Sequence, residues 1–194
     1  TTFGSHEAVA GESSRVNRLH DRVKGSYQKQ GVETDYKAAD QDLLLWVHIA
    51  FTESFLVAHN EYASRPVDPD EYVRLWARSV APLGLAKTPM TWLELQAAIE
   101  QVTPVLRVDE TTLRVLSFIK KPPLPLSVRP FYRLLFAGAI ASLDPKFREM
   151  LGFARPNRLV KPTTRLLLRC VRWLIGPESP IEEAALERLK RIAK

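Results

Sequence analysis

Hydrophobic positions along the chain recur with helical spacing. Val9, Val16, Leu19 and Val23 follow i, i+7, i+10 and i+14, a single stripe down one helix. From Asp40 to Tyr62 the chain is apolar almost all round, with Leu43, Leu44, Leu45, Trp46, Val47, Ile49, Phe51, Phe55, Leu56 and Val57. A helix of that kind is normally the buried centre of a bundle. No stretch shows a sustained period of two between hairpin turns, so strands are not expected.

The punctuation agrees with helices. Asp68-Pro69-Asp70-Glu71 reads as an N-cap, a first-turn proline and acidic first-turn residues, with Gly84 as a stop. Thr91-Trp92-Leu93-Glu94 has capping-box spacing, and Ser179-Pro180-Ile181-Glu182 repeats the signal before the last helix. Asp144-Pro145 opens another helix that Gly152 ends. Helices are predicted near 6–24, 40–63, 69–83, 92–102, 110–120, 127–142, 144–150, 158–175 and 180–193. Ser26 to Ala38 reads as a polar loop. Lys121-Pro122-Pro123-Leu124-Pro125 reads as a rigid connector. The predicted fold is all-α: one multi-helix bundle of eight or nine helices around a buried apolar central helix.

Composition narrows the class. The 194 residues are 45% hydrophobic and 26% charged, a globular balance with enough chain for one sizeable core. The net charge of +6 permits acidic partners without demanding them. Cys170 is the only cysteine, so an internal disulfide and any multi-cysteine metal site are excluded. No apolar run reaches the roughly 20 residues that span a bilayer, and no signal peptide is visible. These features favour a cytoplasmic protein, at most peripheral to a membrane. The first residue is Thr1, so a processed or truncated product is expected. P-loop, GxGxxG, GxSxG, HExxH and Glu-x-x-His patterns are missing, which leaves nucleotide, serine-hydrolase, zincin and di-iron chemistry without support.

The histidines are the candidates for chemistry. His20 lies beside the apolar stripe of the first helix, among Arg15, Arg18, Arg22 and Lys24. A neutral imidazole there can ligate a metal or haem iron, and basic neighbours suit anionic groups such as haem propionates. The plainer reading is a half-buried histidine on a basic amphipathic helix. His48 sits mid-helix among Leu44, Leu45, Phe51, Thr52 and Phe55. The favoured reading there is a core histidine bonded to a carbonyl or a buried hydroxyl. His6 and His59 have no supporting neighbours. Arg158 to Ile175 mixes Leu, Val, Trp173 and Ile with Arg158, Lys161, Arg165, Arg169 and Arg172. That mixture suits either a core helix, which is favoured, or one lying on an anionic membrane. No recognition motif or stacking aromatics point to nucleic acid.

The order of motifs then carries a resemblance. Phe3-Gly4-Ser5, Val16-Asn17-Arg18-Leu19-His20-Asp21-Arg22-Val23-Lys24-Gly25, Tyr36-Lys37-Ala38 and Leu44-Leu45-Trp46-Val47-His48 lead the set. Tyr62, Tyr72, Leu83-Gly84-Leu85, Pro122-Pro123, Arg129-Pro130 and Arg148-Glu149-Met150-Leu151-Gly152 follow. Together they resemble the MpaB-type oxygenases, a family that includes the latex-clearing rubber oxygenases, over nearly the whole chain.

The resemblance implies an all-α domain over 1–194 holding one haem b. It places the proximal iron ligand on His20, with Lys24 as the basic residue four positions on and Arg18 nearby. The implied reaction is dioxygen-dependent cleavage of a double bond in an isoprenoid or other apolar chain. His48 matches the family's second histidine and is assigned to pocket lining or structure, with Leu45, Thr52, Phe55 and Arg129. Asn17 stands where the rubber-cleaving members tend to carry arginine, and Lys24 replaces a common arginine. The family's distal arginine- and threonine-bearing segment is expected upstream of Thr1, so the domain is expected to be N-terminally incomplete. The competing expectation is a non-catalytic helical domain of the same family, touching lipid or a membrane surface through residues 158–175.

Overall fold

Capped helices account for most of the computed structural model, which describes residues 4–29, 32–176 and 180–192, leaving aside the side chains of 28 and 29. In order these are α1 (His6–His20), β1 (Lys24–Lys29), β2 (Val32–Lys37), α2 (Gln41–Tyr62), α3 (Pro69–Ala77) and α4 (Trp92–Val102). Then come α5 (Glu110–Lys120), α6 (Arg129–Ser142), α7 (Pro145–Met150), α8 (Val160–Ile175) and α9 (Pro180–Ile192). The expectation of a predominantly helical chain holds.

The caps form where their residue types dictate. Asp68 accepts from the Glu71 amide at 2.8 Å, and Asp144 from the Lys146 amide at 2.8 Å. Thr91 accepts from the Glu94 amide at 3.2 Å, while the Glu94 carboxylate reaches back to the Met90 amide at 2.7 Å. Gly84 and Gly152 close their segments at φ 84° and 73°, a region that glycine enters without steric penalty. The predicted cap Ser179 lies outside the described residues. Lys121 to Pro125 is non-helical, as its prolines require.

Two expectations fail. The segment read as a polar loop is an antiparallel hairpin, with Gly25 opposite Tyr36 and Tyr27 opposite Thr34. Its second strand, Val-Glu-Thr-Asp-Tyr-Lys, does alternate, with Thr34 and Tyr36 half-buried and Glu33, Asp35 and Lys37 exposed. The pattern was too short and too polar to stand out. The first helix therefore stops at His20 instead of 24. Likewise α2 is not buried all round: Val47, Phe51 and Phe55 are exposed, whereas His48, Ile49, Thr52 and Leu56 are buried.

The chain divides into two compact units, one of residues 1–53, 68–101 and 178–194, the other of 54–67 and 102–177. In the first unit the buried side chains include Ile49, Val73, Ala77, Leu85, Leu95 and Ile99. Here α1 packs on a 3-10 turn, Ala81–Leu83, and the Asn17 amide donates to the Pro82 carbonyl at 3.4 Å. Gln41, at the start of α2, donates to the Gly84 carbonyl and accepts from the Ala86 amide, both at 3.0 Å.

The second unit is organised by α6 against α8. Gly138 permits that approach: a Cβ there would lie 2.7 Å from Thr164 Cγ2. The Tyr62 hydroxyl donates to the Gly138 carbonyl at 2.6 Å. Glu61 ties the end of α2 to α8, its carboxylate meeting Lys161 Nζ at 2.7 Å and an Arg165 guanidinium nitrogen at 3.0 Å. Arg165 also donates to the Glu61 carbonyl at 2.6 and 3.0 Å.

Candidate functional site

The first unit contains a cavity of about 550 Å³ whose lining includes both His20 and His48. Val16 and His20 come from α1, one helical turn apart. Leu44, Val47, His48 and Phe51 come from α2 at i, i+3, i+4 and i+7, a single helix face. Tyr36 and Ala38 come from the hairpin and its exit. Trp76, Val80, Leu83 and Leu85 close the wall from α3 and the segment after it. The lining is mostly hydrocarbon and aromatic ring, the composition of a site for an apolar ligand or a flat cofactor.

Gly25 shapes the wall at a distance. A Cβ on it would sit 2.8 Å from Tyr36 Cε1, so the missing side chain leaves room for the Tyr36 ring on its cross-strand neighbour. Tyr27 meets the same ring edge-on, with centroids 6.1 Å apart.

The two imidazoles differ. His20 is the last residue of α1 and half-buried. His48 is 3% exposed, and neither Nδ1 nor Nε2 has a hydrogen-bond partner. The expected bond to a carbonyl or hydroxyl is not made. Thr52, the hydroxyl one turn on, donates instead to the His48 backbone carbonyl at 2.6 Å. Burial pushes the His48 pKa below its usual value, so the ring is neutral at pH 7 with a lone pair on one nitrogen.

The other candidate residues are dispersed. Arg18 is exposed and does not line the cavity. Lys24, in β1, lines a separate surface depression with Ser26, Asp35, Lys37 and Asp40. Leu45 is half-buried on α2 away from the cavity wall, and Thr52 is fully buried. Phe55 and Arg129 belong to the second unit. There Arg129 Nε donates to the Leu124 carbonyl at 2.9 Å, bracing the proline connector. His6 is exposed, and His59 Nε2 lies 3.0 Å from the Arg65 carbonyl. Tyr36, Trp76, Val80, Leu83 and Leu85 were not expected at the site. The helical spacing from Leu44 to Phe51 was a signal for the α2 face, but nothing local announced the other walls.

Among the described residues no three or more His, Cys, Asp or Glu side chains gather to hold a metal ion. A haem needs no such cluster, because the porphyrin supplies the equatorial donors and the protein only axial ones. An apolar chamber with the half-buried His20 in its lining fits a demand for one such donor, while the His48 ring nitrogens are closed off from it. Among the described residues no lysine or arginine lines it, so propionate pairing inside the chamber has none of them to rest on.

The fold is predominantly helical, and one of its units carries an apolar chamber with two histidines in its lining. Residues 1–174 match the sequence model of the family described as ER-bound oxygenase mpaB/B'/Rubber oxygenase, catalytic domain, and the chain belongs to that family. Comparison with curated proteins and with solved structures gives no match.

Proposed function

We propose that the chain is the haem-binding part of an oxygenase that cleaves a double bond in an isoprenoid or similar apolar chain, with His20 as iron ligand. The observation that supports this reading is the opening of His20 onto an apolar chamber, in a chain of an oxygenase family. Haem b, when bound, supplies the chemistry of binding and activating dioxygen. The protein's part is simpler. His20 offers a ring nitrogen at the end of α1, and the Asn17–Pro82 contact anchors that helix one turn earlier. Leu44, Val47, Phe51 and Leu83 present a hydrocarbon surface that accepts an apolar chain without a hydrogen-bonding demand. Arg18 and Lys24 stand off the cavity wall and take no part in this reading.

The test is a visible spectrum and haem assay on the purified chain after addition of hemin. One haem per chain is expected, with an intense Soret band that weakens at least tenfold in titrations of His20→Ala at unchanged helicity. Normal haem binding by His20→Ala would sink the assignment.

A second reading is favoured by one observation on α8. Leu159, Leu166, Cys170 and Trp173, at i, i+7, i+11 and i+14, form an exposed stripe on the side away from buried Thr164. Arg158 and Arg169 border it, and Arg172 is exposed on the same face as Lys161 and Arg165, which Glu61 engages. This is the pattern of a helix lying on an anionic bilayer surface. No helix among the described residues is long and apolar enough to cross a membrane. Flotation with phosphatidylglycerol vesicles, lost in Arg169→Gln/Arg172→Gln and at high salt, is the expected result. Equal flotation of the variant would refute this reading.

A further inference from the structure

The second unit carries a depression of about 240 Å³ where α5 ends, the proline connector follows and α6 begins. Lys120, Lys121, Arg129 and Arg133 line it, together with Tyr132 and the connector, and no carboxylate does. The imbalance runs through the surrounding sequence. From Thr111 to Leu143 the chain holds five lysines and arginines and no aspartate or glutamate. The flanking acids are remote, because Asp109 caps the far end of α5 and Asp144 follows the far end of α6. At about 1.5 Å per residue those helices set them roughly 15–20 Å off along the axes, beyond the Debye length of about 8 Å at physiological ionic strength. Among the described residues none of the four cations pairs with a carboxylate. A surface that only needs hydration carries both signs interspersed, whereas a concave one lined by a single sign concentrates counter-ions.

The depression is also held in shape. Arg129 Nε donates to the Leu124 carbonyl at 2.9 Å, and Leu124 is itself part of the lining. The guanidinium is thereby pinned at the depression, and its two terminal nitrogens have no partner among the described residues. The Tyr132 hydroxyl donates to the Ile119 carbonyl at 2.5 Å, tying the end of α5 to the first turn of α6. Pro122, Pro123 and Pro125 stiffen the connector between them. We propose that this depression binds a phosphate or pyrophosphate group, carried by a soluble ligand or by a lipid headgroup. The planar fork of an arginine matches phosphate oxygens, and lysines add charge without a fixed geometry. Arg129 and Arg133, one turn apart on α6, supply the forks, and Lys120 and Lys121 balance the remaining charge. The inference uses no residue of the haem chamber or of α8 and stands apart from both readings above.

The test is isothermal titration calorimetry of the full chain with inorganic pyrophosphate. One saturable site is expected, weaker in high salt. Lys120→Gln/Arg133→Gln removes two exposed cations whose side chains make no bond among the described residues. It is expected to keep its helicity by circular dichroism and to bind roughly tenfold more weakly or worse. Arg129→Gln should weaken binding as much. Arg74→Gln/Lys87→Gln takes the same charge from exposed positions of the first unit and should bind as the unsubstituted chain does. Flotation with phosphatidic acid vesicles separates the two sources. Vesicle binding that pyrophosphate displaces and Lys120→Gln/Arg133→Gln abolishes assigns the site to a headgroup. Pyrophosphate binding without such vesicle binding assigns it to a soluble phosphorylated ligand. The proposal is overturned by the lack of a saturable pyrophosphate site, by an affinity unchanged in Lys120→Gln/Arg133→Gln, or by an equal loss in Arg74→Gln/Lys87→Gln.

Discussion

Replacing Gly138 with alanine tests the close approach of α6 to α8. A methyl group there would lie 2.7 Å from Thr164 Cγ2, 2.8 Å from Oγ1 and 3.2 Å from Cβ. Carbon–carbon contacts become favourable only beyond about 3.5 Å, so α6 and α8 must part by roughly 0.5–1 Å. Thr164 is 2% exposed and β-branched, so it has no free rotamer into which to retreat. Overpacking of this kind costs about 1–3 kcal/mol, and the Tyr62 bond to the Gly138 carbonyl, worth about 1 kcal/mol, is disturbed with it. Against this stands the helix preference for alanine over glycine, about 1 kcal/mol. The net expectation is a loss of about 1–2 kcal/mol, read from urea unfolding followed by far-ultraviolet circular dichroism. In a Thr164→Ala background the two nearest atoms are gone, and the same substitution should be neutral or mildly stabilising. The double-mutant cycle should therefore return a coupling of about 1–2 kcal/mol. Were Gly138→Ala to stabilise the chain by about 1 kcal/mol with Thr164 intact, the close packing of α6 on α8 would be wrong.

Three further expectations concern single side chains. Glu61→Gln removes the partner of Lys161 and Arg165. Because those cations are 44% and 41% exposed, solvent screening limits the loss to about 1 kcal/mol, shrinking further in high salt; a salt-independent loss would contradict the ion-pair account. Tyr62→Phe deletes the hydroxyl bond to the Gly138 carbonyl and should lower stability by about 1 kcal/mol in the same unfolding assay, and no change would mean that the bond contributes nothing. For His48 the sign follows from linkage: burial holds its pKa below the usual 6.5, so the unfolded state binds the proton more readily. In the ligand-free chain, stability is full above pH 6.5 and falls as the pH drops below that toward the lowered value. His48→Leu should raise the melting temperature and flatten this dependence between pH 7.5 and 5.5. An identical pH profile in the variant would show that the ring is not buried as described.

Helix positions were written locally. Asp68, Thr91 and Asp144 cap their helices through side-chain oxygens three or fewer residues away, and Gly84 and Gly152 end segments through their own backbone freedom. Such interactions need only neighbours in sequence, so their spacing reveals them. The hairpin depends on pairing Lys24–Lys29 with Val32–Lys37, and only then does Tyr36 find the space over Gly25. Cross-strand register is not a local property, and the polar composition of both strands hid it.

The sequence by itself settled the helical class, the approximate span of most helices and the family motifs, and it singled out two histidines. The tertiary structure decided what those histidines share. It brought His20 and His48, 28 positions apart in number, to one chamber, and it moved Lys24 and Arg18 off that chamber's wall. It also reversed the plain reading of His48. Whether a buried imidazole has a hydrogen-bond partner depends on which distant atoms surround it, and only the packed chain fixes those.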